Sequence, residues 1–346
     1  MSPVGPAEPA VGRSDPTADV PLRIGFQVWG QFVTWSDLMA VGRRIEDLGF
    51  DSLYSNDHLL PVAGGGPEAL EMVRGPVWDG WMTLAGWAPI TSRVRLGCLV
   101  SGVPFRNPAL TVRMATALDH ASAGRAILGL GAGWHAAEHH TFGFVYPSLR
   151  ERLDRLEEAV RICRQMLDGE AAQLVGTWYT VDGARNEPAP LQARLPILVG
   201  GSGERRTLPL VARYADIWNG EGDPATYARK SALLDDLCRV AGRDPTSVDR
   251  TVGLPPPLIR PRREAAVTAL AESLARHGLP GADARAAADG SALVGTLEQV
   301  TDHLLEYARA GPREVIFDWP TPPDEATLEA LAGPVRETLR REAGRG

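Results

Sequence analysis

Apolar runs of strand length alternate with stretches of helical periodicity eight times along this chain, and no other feature restricts the fold as strongly. The runs are Leu22–Val28, Asp51–Asn56, Val94–Val100, Ala126–Gly131, Pro196–Gly200, Asp216–Asn219, Thr251–Leu254 and Glu314–Asp318. Ala126-Ile-Leu-Gly-Leu-Gly131 is apolar nearly throughout, as a strand buried on both faces is. Between the runs, Leu38, Val41, Ile45 and Leu48 form one apolar stripe at helical spacing. Leu149, Leu153, Leu156, Val160, Cys163 and Leu167 form a longer one. Gly49 and Gly169 stand where helix C-caps belong. Parallel strands need long crossovers, and right-handed strand–helix–strand units repeated eight times close into a (β/α)8 barrel, the TIM barrel. The rival is a doubly wound open sheet. It would need a Gly-rich turn after the first strand, and this chain has none there.

The rhythm breaks twice. Residues at about 171–194 carry Thr177–Val181 and then a run of prolines, which predicts an insertion with a small hairpin. Residues at about 255–294 are Ala-rich and helical, with a Gly-Ala-Asp loop inside, and predict a second insertion. Residues 1–20, rich in Pro, Ala and Gly and lacking an apolar signal core, read as a disordered tail before a single domain spanning 21–346.

Net charge is -7 and the pI about 5.6, which argues against nucleic acid or a membrane surface as partner. Lys230 is the sole lysine, a skew that codon usage explains. Cys98, Cys163 and Cys238 are widely spaced and form no CxxC or zinc pattern, so reduced thiols and a cytoplasmic location are expected. No apolar stretch approaches the roughly 20 residues that cross a bilayer. A small-molecule substrate is the expected partner.

Side chains at the C-terminal ends of barrel strands share one mouth. Four segments fall there. Asn56-Asp57-His58 ends strand two and can supply a proton donor near neutral pH; the alternative is a His bonded to loop backbone. Leu99-Val100-Ser101-Gly102 leads into a turn crowded with Gly and Pro. In Gly129–His140, glycines at 129, 131 and 133 let backbone approach a ligand. The same stretch holds His135-x-x-Glu138-His139, the spacing of a zinc hydrolase site in which Glu138 would act as base; no third ligand can be picked. Gly200-Gly201-Ser202-Gly203-Glu204-Arg205-Arg206 follows strand five and offers free N–H groups and a helix N-terminus to an anion; a tight loop is the plain alternative.

In this order the segments resemble the bacterial luciferase-like family, and more closely its branch of oxidoreductases dependent on the deazaflavin F420. The resemblance rests on Asp47–Ser52, Asn56–His58, Arg95–Val100, Phe105–Ala109, Leu128–Trp134, Glu151–Glu158 and Pro196–Leu208, and covers most of the chain. It implies a cofactor ring in the barrel mouth over a non-prolyl cis peptide at Leu99–Val100 or one bond either side. It also implies cofactor contacts from Asp57, Leu99, Val100, Ser101, Ala132, Gly133 and Trp134, and phosphate contacts from Gly200, Gly201, Ser202, Gly203, Glu204 and Arg205. His58 would move the proton that accompanies a hydride, and Asp57 would orient it. F420-dependent sugar dehydrogenases carry a Glu where this chain has Trp134. The nearest carboxylate here is Glu138, which becomes the second candidate catalytic residue, and a sugar substrate is not implied. Arg106, Arg205 and Arg206 would meet the acidic tail of F420. The resemblance leaves open FMN as cofactor, with monooxygenase chemistry, and a flavin-binding barrel without activity. Homodimers are common in the family and are the expected assembly. The loop Pro61–Val77 and residues 255–294 would shape the pocket, and Trp29, Phe32, Trp35, Trp78 and Trp81 hint at an apolar or planar substrate, although packing accounts for them equally well.

Overall fold

A computed structural model describes residues 22–62, 75–319 and 324–343. The expected tail at 1–20 and most of the loop Pro61–Val77 lie outside the described residues. Eight strands are parallel: β1 (Arg23–Val28), β2 (Ser52–Ser55), β3 (Arg95–Cys98), β4 (Ala126–Gly131), β5 (Ile197–Gly200), β6 (Ile217–Gly220), β7 (Asp249–Leu254) and β8 (Glu314–Trp319). Their order is β3-β2-β1-β8-β7-β6-β5-β4, and β4 pairs with β3 through Leu96↔Ala126 and Gly97↔Ile127. The sheet therefore closes on itself, and the (β/α)8 barrel holds against the open sheet.

Side chains alternate faces along each strand, and the two faces have different chemistry. Ile24, Phe26 and Val28 of β1 point outward into the layer between strands and helices, with Leu53, Leu96, Leu128, Val199 and Phe317. Tyr54, Ile127, Leu198, Ile217 and Ile316 point inward and fill the barrel. At the N-terminal rim the interior turns polar. Buried Glu314 accepts from Arg95 Nη2 at 2.6 Å and from Ser52, and pairs with Arg23, which also meets Asp249.

The helices start where their caps lie. Thr34 caps α1 (Trp35–Asp47) by accepting from Asp37 N, and Asn107 caps the next long helix, Pro108–Ala121, with proline at its first position. Ser148 and Glu151 form a capping box at Leu149–Leu167. Both insertions are present. Ala172–Val175 and Thr180–Ala184 pair antiparallel, and 255–294 folds as helices Arg263–Arg276 and Gly281–Gly290 flanked by a short parallel pair, Leu258–Ile259 with Val294–Gly295. One detail differs from expectation, and two more qualify the helices. Gly281 begins the second inserted helix instead of sitting in a loop. The helix after β5 starts at Thr207, because the glycines before it stay irregular. The closing helix widens into a π turn at Leu331–Val335, where Pro334 has no N–H to donate. Among the described residues, no helix is long and apolar enough to cross a membrane.

Candidate active site

A cavity of about 1050 Å³ opens at the C-terminal ends of the strands. Gln27, Asn56, Leu99, Gly131, Gly200, Asn219 and Asp318, from the ends of seven strands, contribute to its wall.

Strand β3 stops at Cys98, and the chain bulges at Leu99–Val100, whose peptide bond is cis, before a two-residue strand resumes at Ser101–Gly102. This is the bond at which the resemblance places a cis peptide. Gln27 Nε2 donates to the Leu99 carbonyl at 2.6 Å. The bulge explains two glycines of the next strand. A Cβ on Gly129 would lie 1.9 Å from the Cys98 carbonyl oxygen, and one on Gly131 2.3 Å from Val100 Cγ2. These glycines admit the neighbouring strand; they were expected to admit a ligand. Gly131 still borders the cavity, but Gly129 does not.

His58, at the end of β2, faces Glu138 in the short helix Ala136–Phe142. Nδ1 of His58 lies 3.0 Å from Glu138 Oε1 and 3.1 Å from Oε2, and the amides of Leu59 and Leu60 donate to Oε1 at 2.6 and 3.0 Å. Glu138 is 1% exposed. Burial works against its charge, but His135, His58 and the Leu60 amide outweigh it and hold the carboxyl well below the usual range. A carboxylate only accepts, so Nδ1 of His58 carries the proton and Nε2 is the atom left to exchange one. Trp134 packs edge-on to His58 at 5.5 Å.

Asp57 does not orient His58. Its carboxylate takes a 2.5 Å bond from Arg106, and burial pushes its pKa up despite that cation. Arg106 is thereby engaged within the wall, and Arg206 is engaged by Asp154 at 2.5 Å, so neither stands free for an acidic tail. Arg205 is exposed and has no ion pair among the described residues.

Of the other residues expected at the cofactor, Val100, Ala132, Gly133, Trp134, Gly200 and Gly201 line the cavity alongside Leu99. Ser101, Ser202, Gly203, Glu204 and Arg205 do not. Ser101 is buried and accepts from Trp81 Nε1 at 2.7 Å. Ser202 accepts from the Glu221 amide, and exposed Glu204 pairs with Arg229. Thr207 lines the cavity in their place.

The spacing His135-x-x-Glu138-His139 does not bring its two histidines together. Nδ1 of His139 turns back to the His135 carbonyl at 3.1 Å, and its ring packs on Phe105 and Tyr146. The atoms that converge, within 4.8 Å of one another, belong to His58, His135 and Glu138.

Arg152 and Asp318 are among the lining residues that the sequence does not mark as site residues. Arg152, 6% exposed, stacks on the Tyr146 ring at 4.3 Å, and its Nε has no hydrogen-bond partner. No carboxylate pairs with it among the described residues. Its helical register was legible, but its direction was not. Asp318, at the end of β8, accepts from the Trp29 indole, yet burial pushes its carboxyl up to about 6. Its position as last polar residue of a barrel strand was the available signal.

The model of the luciferase-like monooxygenase family matches residues 14–314. An F420-dependent glucose-6-phosphate dehydrogenase of Microbacterium testaceum is 33% identical over 237 residues, 66% of this chain and 66% of that protein. An F420-dependent hydroxymycolic acid dehydrogenase of Mycobacterium tuberculosis is 30% identical over 221 residues, 63% of this chain and 58% of that one. The chain thus spans about two thirds, or less, of the length of these relatives. Among solved structures, an F420-dependent secondary alcohol dehydrogenase in complex with an F420-acetone adduct superposes with a TM-score of 0.75 at 19% identity, covering 91% of this chain and 99% of the other. The oxygenating constituent of 3,6-diketocamphane monooxygenase from Pseudomonas putida, in complex with FMN, gives 0.70 at 14%, covering 91% and 98%. These two show the shared fold. The chain belongs to the luciferase-like monooxygenase family and, within it, stands with the F420-dependent oxidoreductases.

Proposed function

We propose that the chain uses F420 to exchange a hydride with a small organic substrate at a C=O, C=C or C=N bond. The observation that carries this reading is the His58–Glu138 pair, set in the wall of a cavity that the Leu99–Val100 bulge also lines. The names of relatives at about 30% identity point to the cofactor.

The lining fits a planar, phosphorylated group. Leu99 and Val100 offer apolar surface to a ring. Gly200, Gly201 and Thr207, together with the guanidinium of Arg152, which donates to the Pro147 carbonyl but meets no carboxylate among the described residues, offer an anion site at the start of a helix. When bound, F420 supplies the carbon that gives or takes the hydride. His58 Nε2 holds or releases the accompanying proton, Glu138 fixes the tautomer, and Trp134 screens the pair from water.

Titration of the purified protein with F420 and with FMN tests the reading. F420 is expected to bind at least about tenfold more tightly, and turnover of an alcohol or ketone should change its absorbance. Binding of FMN alone would overturn the assignment, and F420 binding without turnover of any substrate would favour a non-catalytic barrel.

A further inference from the structure

A second cavity, of about 160 Å³, lies between the barrel mouth and the inserted segment 255–294. Leu270 and Leu274 of the helix Arg263–Arg276 and Pro256 form its outer walls. Trp29 and Val62 form the inner one, and both also line the large cavity. The two spaces therefore adjoin at these two residues. His277 and Ser291 are the polar residues at the small cavity. Nδ1 of His277 lies 2.8 Å from the Ser273 carbonyl of its own helix, and its ring meets Trp29 edge-on at 5.8 Å. The surface presented inward is thus mostly hydrocarbon and aromatic. A cavity of about 150 Å³ with aliphatic and aromatic walls stays dry and takes up benzene.

We propose that this cavity is an apolar substrate subsite, and that it holds a phenyl- or cyclohexyl-sized group of a substrate whose reacting carbon lies on the His58 side of Trp29. The proposal rests on the oxidoreductase reading above. The subsite belongs to an insertion, outside the eight-fold repeat. Specificity is thereby placed on an added segment while the chemistry stays at the strand ends. A hydrocarbon pocket of this size favours a substrate that fills it over one that leaves it empty by about 10- to 100-fold.

Benzyl alcohol is the probe. Calorimetric titration of the full chain without cofactor should show saturable binding, at least tenfold weaker in Leu274→Phe and in Leu270→Phe, which fill the cavity. F420 titration of both variants should match the parent, which also reports that they are folded. Leu274→Ala enlarges the space and should improve binding of 2-naphthylmethanol. With F420 present, the kcat/KM ratio of benzyl alcohol to 2-propanol should fall toward one in Leu274→Phe. Unchanged benzyl alcohol binding in both filled variants, or none in the parent, would overturn the subsite. If F420 fails to bind while the filled variants still lose benzyl alcohol, the cofactor reading fails and the subsite stands.

Discussion

Glu138 grips His58 and the loop that carries it at once: one carboxylate oxygen accepts from His58 Nδ1 at 3.0 Å and from the Leu59 and Leu60 amides at 2.6 and 3.0 Å. This buried acceptor fixes both the ring's position and its tautomer. In Glu138→Gln the amide oxygen can keep the two backbone donors, but its NH2 then faces Nδ1 and moves the imidazole proton to Nε2. We expect kcat to fall by about 10²- to 10⁴-fold, with F420 affinity nearly unchanged. His58→Ala should cost a similar factor, and the double variant little more than either single one. Steady-state kinetics alongside cofactor titration checks this; wild-type turnover in Glu138→Gln would remove the pair from the mechanism.

Arg152 makes a separable prediction. A buried guanidinium without a carboxylate is costly to the fold, and an anionic ligand would offset that cost. Arg152→Met should therefore weaken F420 binding by about 10- to 100-fold, the range of a charged hydrogen bond. Its melting temperature without cofactor should hold or rise. Isothermal titration and a thermal scan read the two effects independently. Undiminished F420 affinity would move the phosphate away from this side of the cavity.

Asp318 sets a pH dependence whose sign follows from its environment. Burial raises its carboxyl to about 6, well above the unfolded value near 4. Between those two values the folded chain holds a proton that the unfolded chain has released. The stability from the protonated form is therefore fully present below pH 4 and is lost as pH climbs through 6. The loss is at most about 3 kcal/mol, since the residue is partly open to the mouth. Asp318→Asn should melt higher than the parent at pH 8 and close to it at pH 4. Equal offsets at the two pH values would show that the carboxyl titrates normally.

Much of the barrel was legible because its signals are local. Ala126–Gly131 and Pro108–Ala121 fall where period and capping place them, and the hairpin at 172–184 appears where the rhythm breaks. The site was less legible because its contacts join residues far apart in the chain. Asn-Asp-His suggested that Asp57 would steady its neighbour. Adjacent residues on an extended segment point to opposite sides, however, and Asp57 meets Arg106 while His58 meets Glu138, 80 positions away. The phosphate contacts expected after β5 reach the cavity only in part, at Gly200 and Gly201, for a related reason. A glycine run marks where backbone can turn, but not which amide turns inward, and Thr207 lines the cavity where Ser202 and Glu204 do not.

The fit between strands β3 and β4 predicts a graded response to added methyl groups. At Gly131 the new Cβ would press on Val100 Cγ2, the end of a side chain that can shift. At Gly129 it would press on the Cys98 carbonyl, which is backbone within a closed barrel. Gly131→Ala should lose about 1–3 kcal/mol of stability and weaken cofactor binding, because Val100 lines the cavity. Gly129→Ala should lose more and accumulate poorly as folded protein. Denaturant unfolding ranks the two, and an equal or reversed order would mean that the bulge gives way as easily as a side chain.

At the opposite rim of the barrel, Glu314 is fully buried between Arg23, Arg95 and Ser52. Removing the carboxylate takes a buried acceptor from Arg95, and from Arg23, which keeps Asp249, at the N-terminal end of the sheet. Breaking a buried pair in this way costs about 3–5 kcal/mol, and the lower end applies because Arg95 is 31% exposed. The surface pair Arg44–Glu325 is the internal control. Its carboxylate is half exposed, so Glu325→Gln should leave stability unchanged within error. Glu314 begins β8 and Asp318 lies near its other end, so Glu314→Gln should lower stability without changing F420 affinity in the fraction that remains folded. If Glu314→Gln instead abolishes cofactor binding at full stability, the two rims of the barrel are coupled, and the division of labour between a stabilising N-terminal end and a chemical C-terminal end does not hold for this chain.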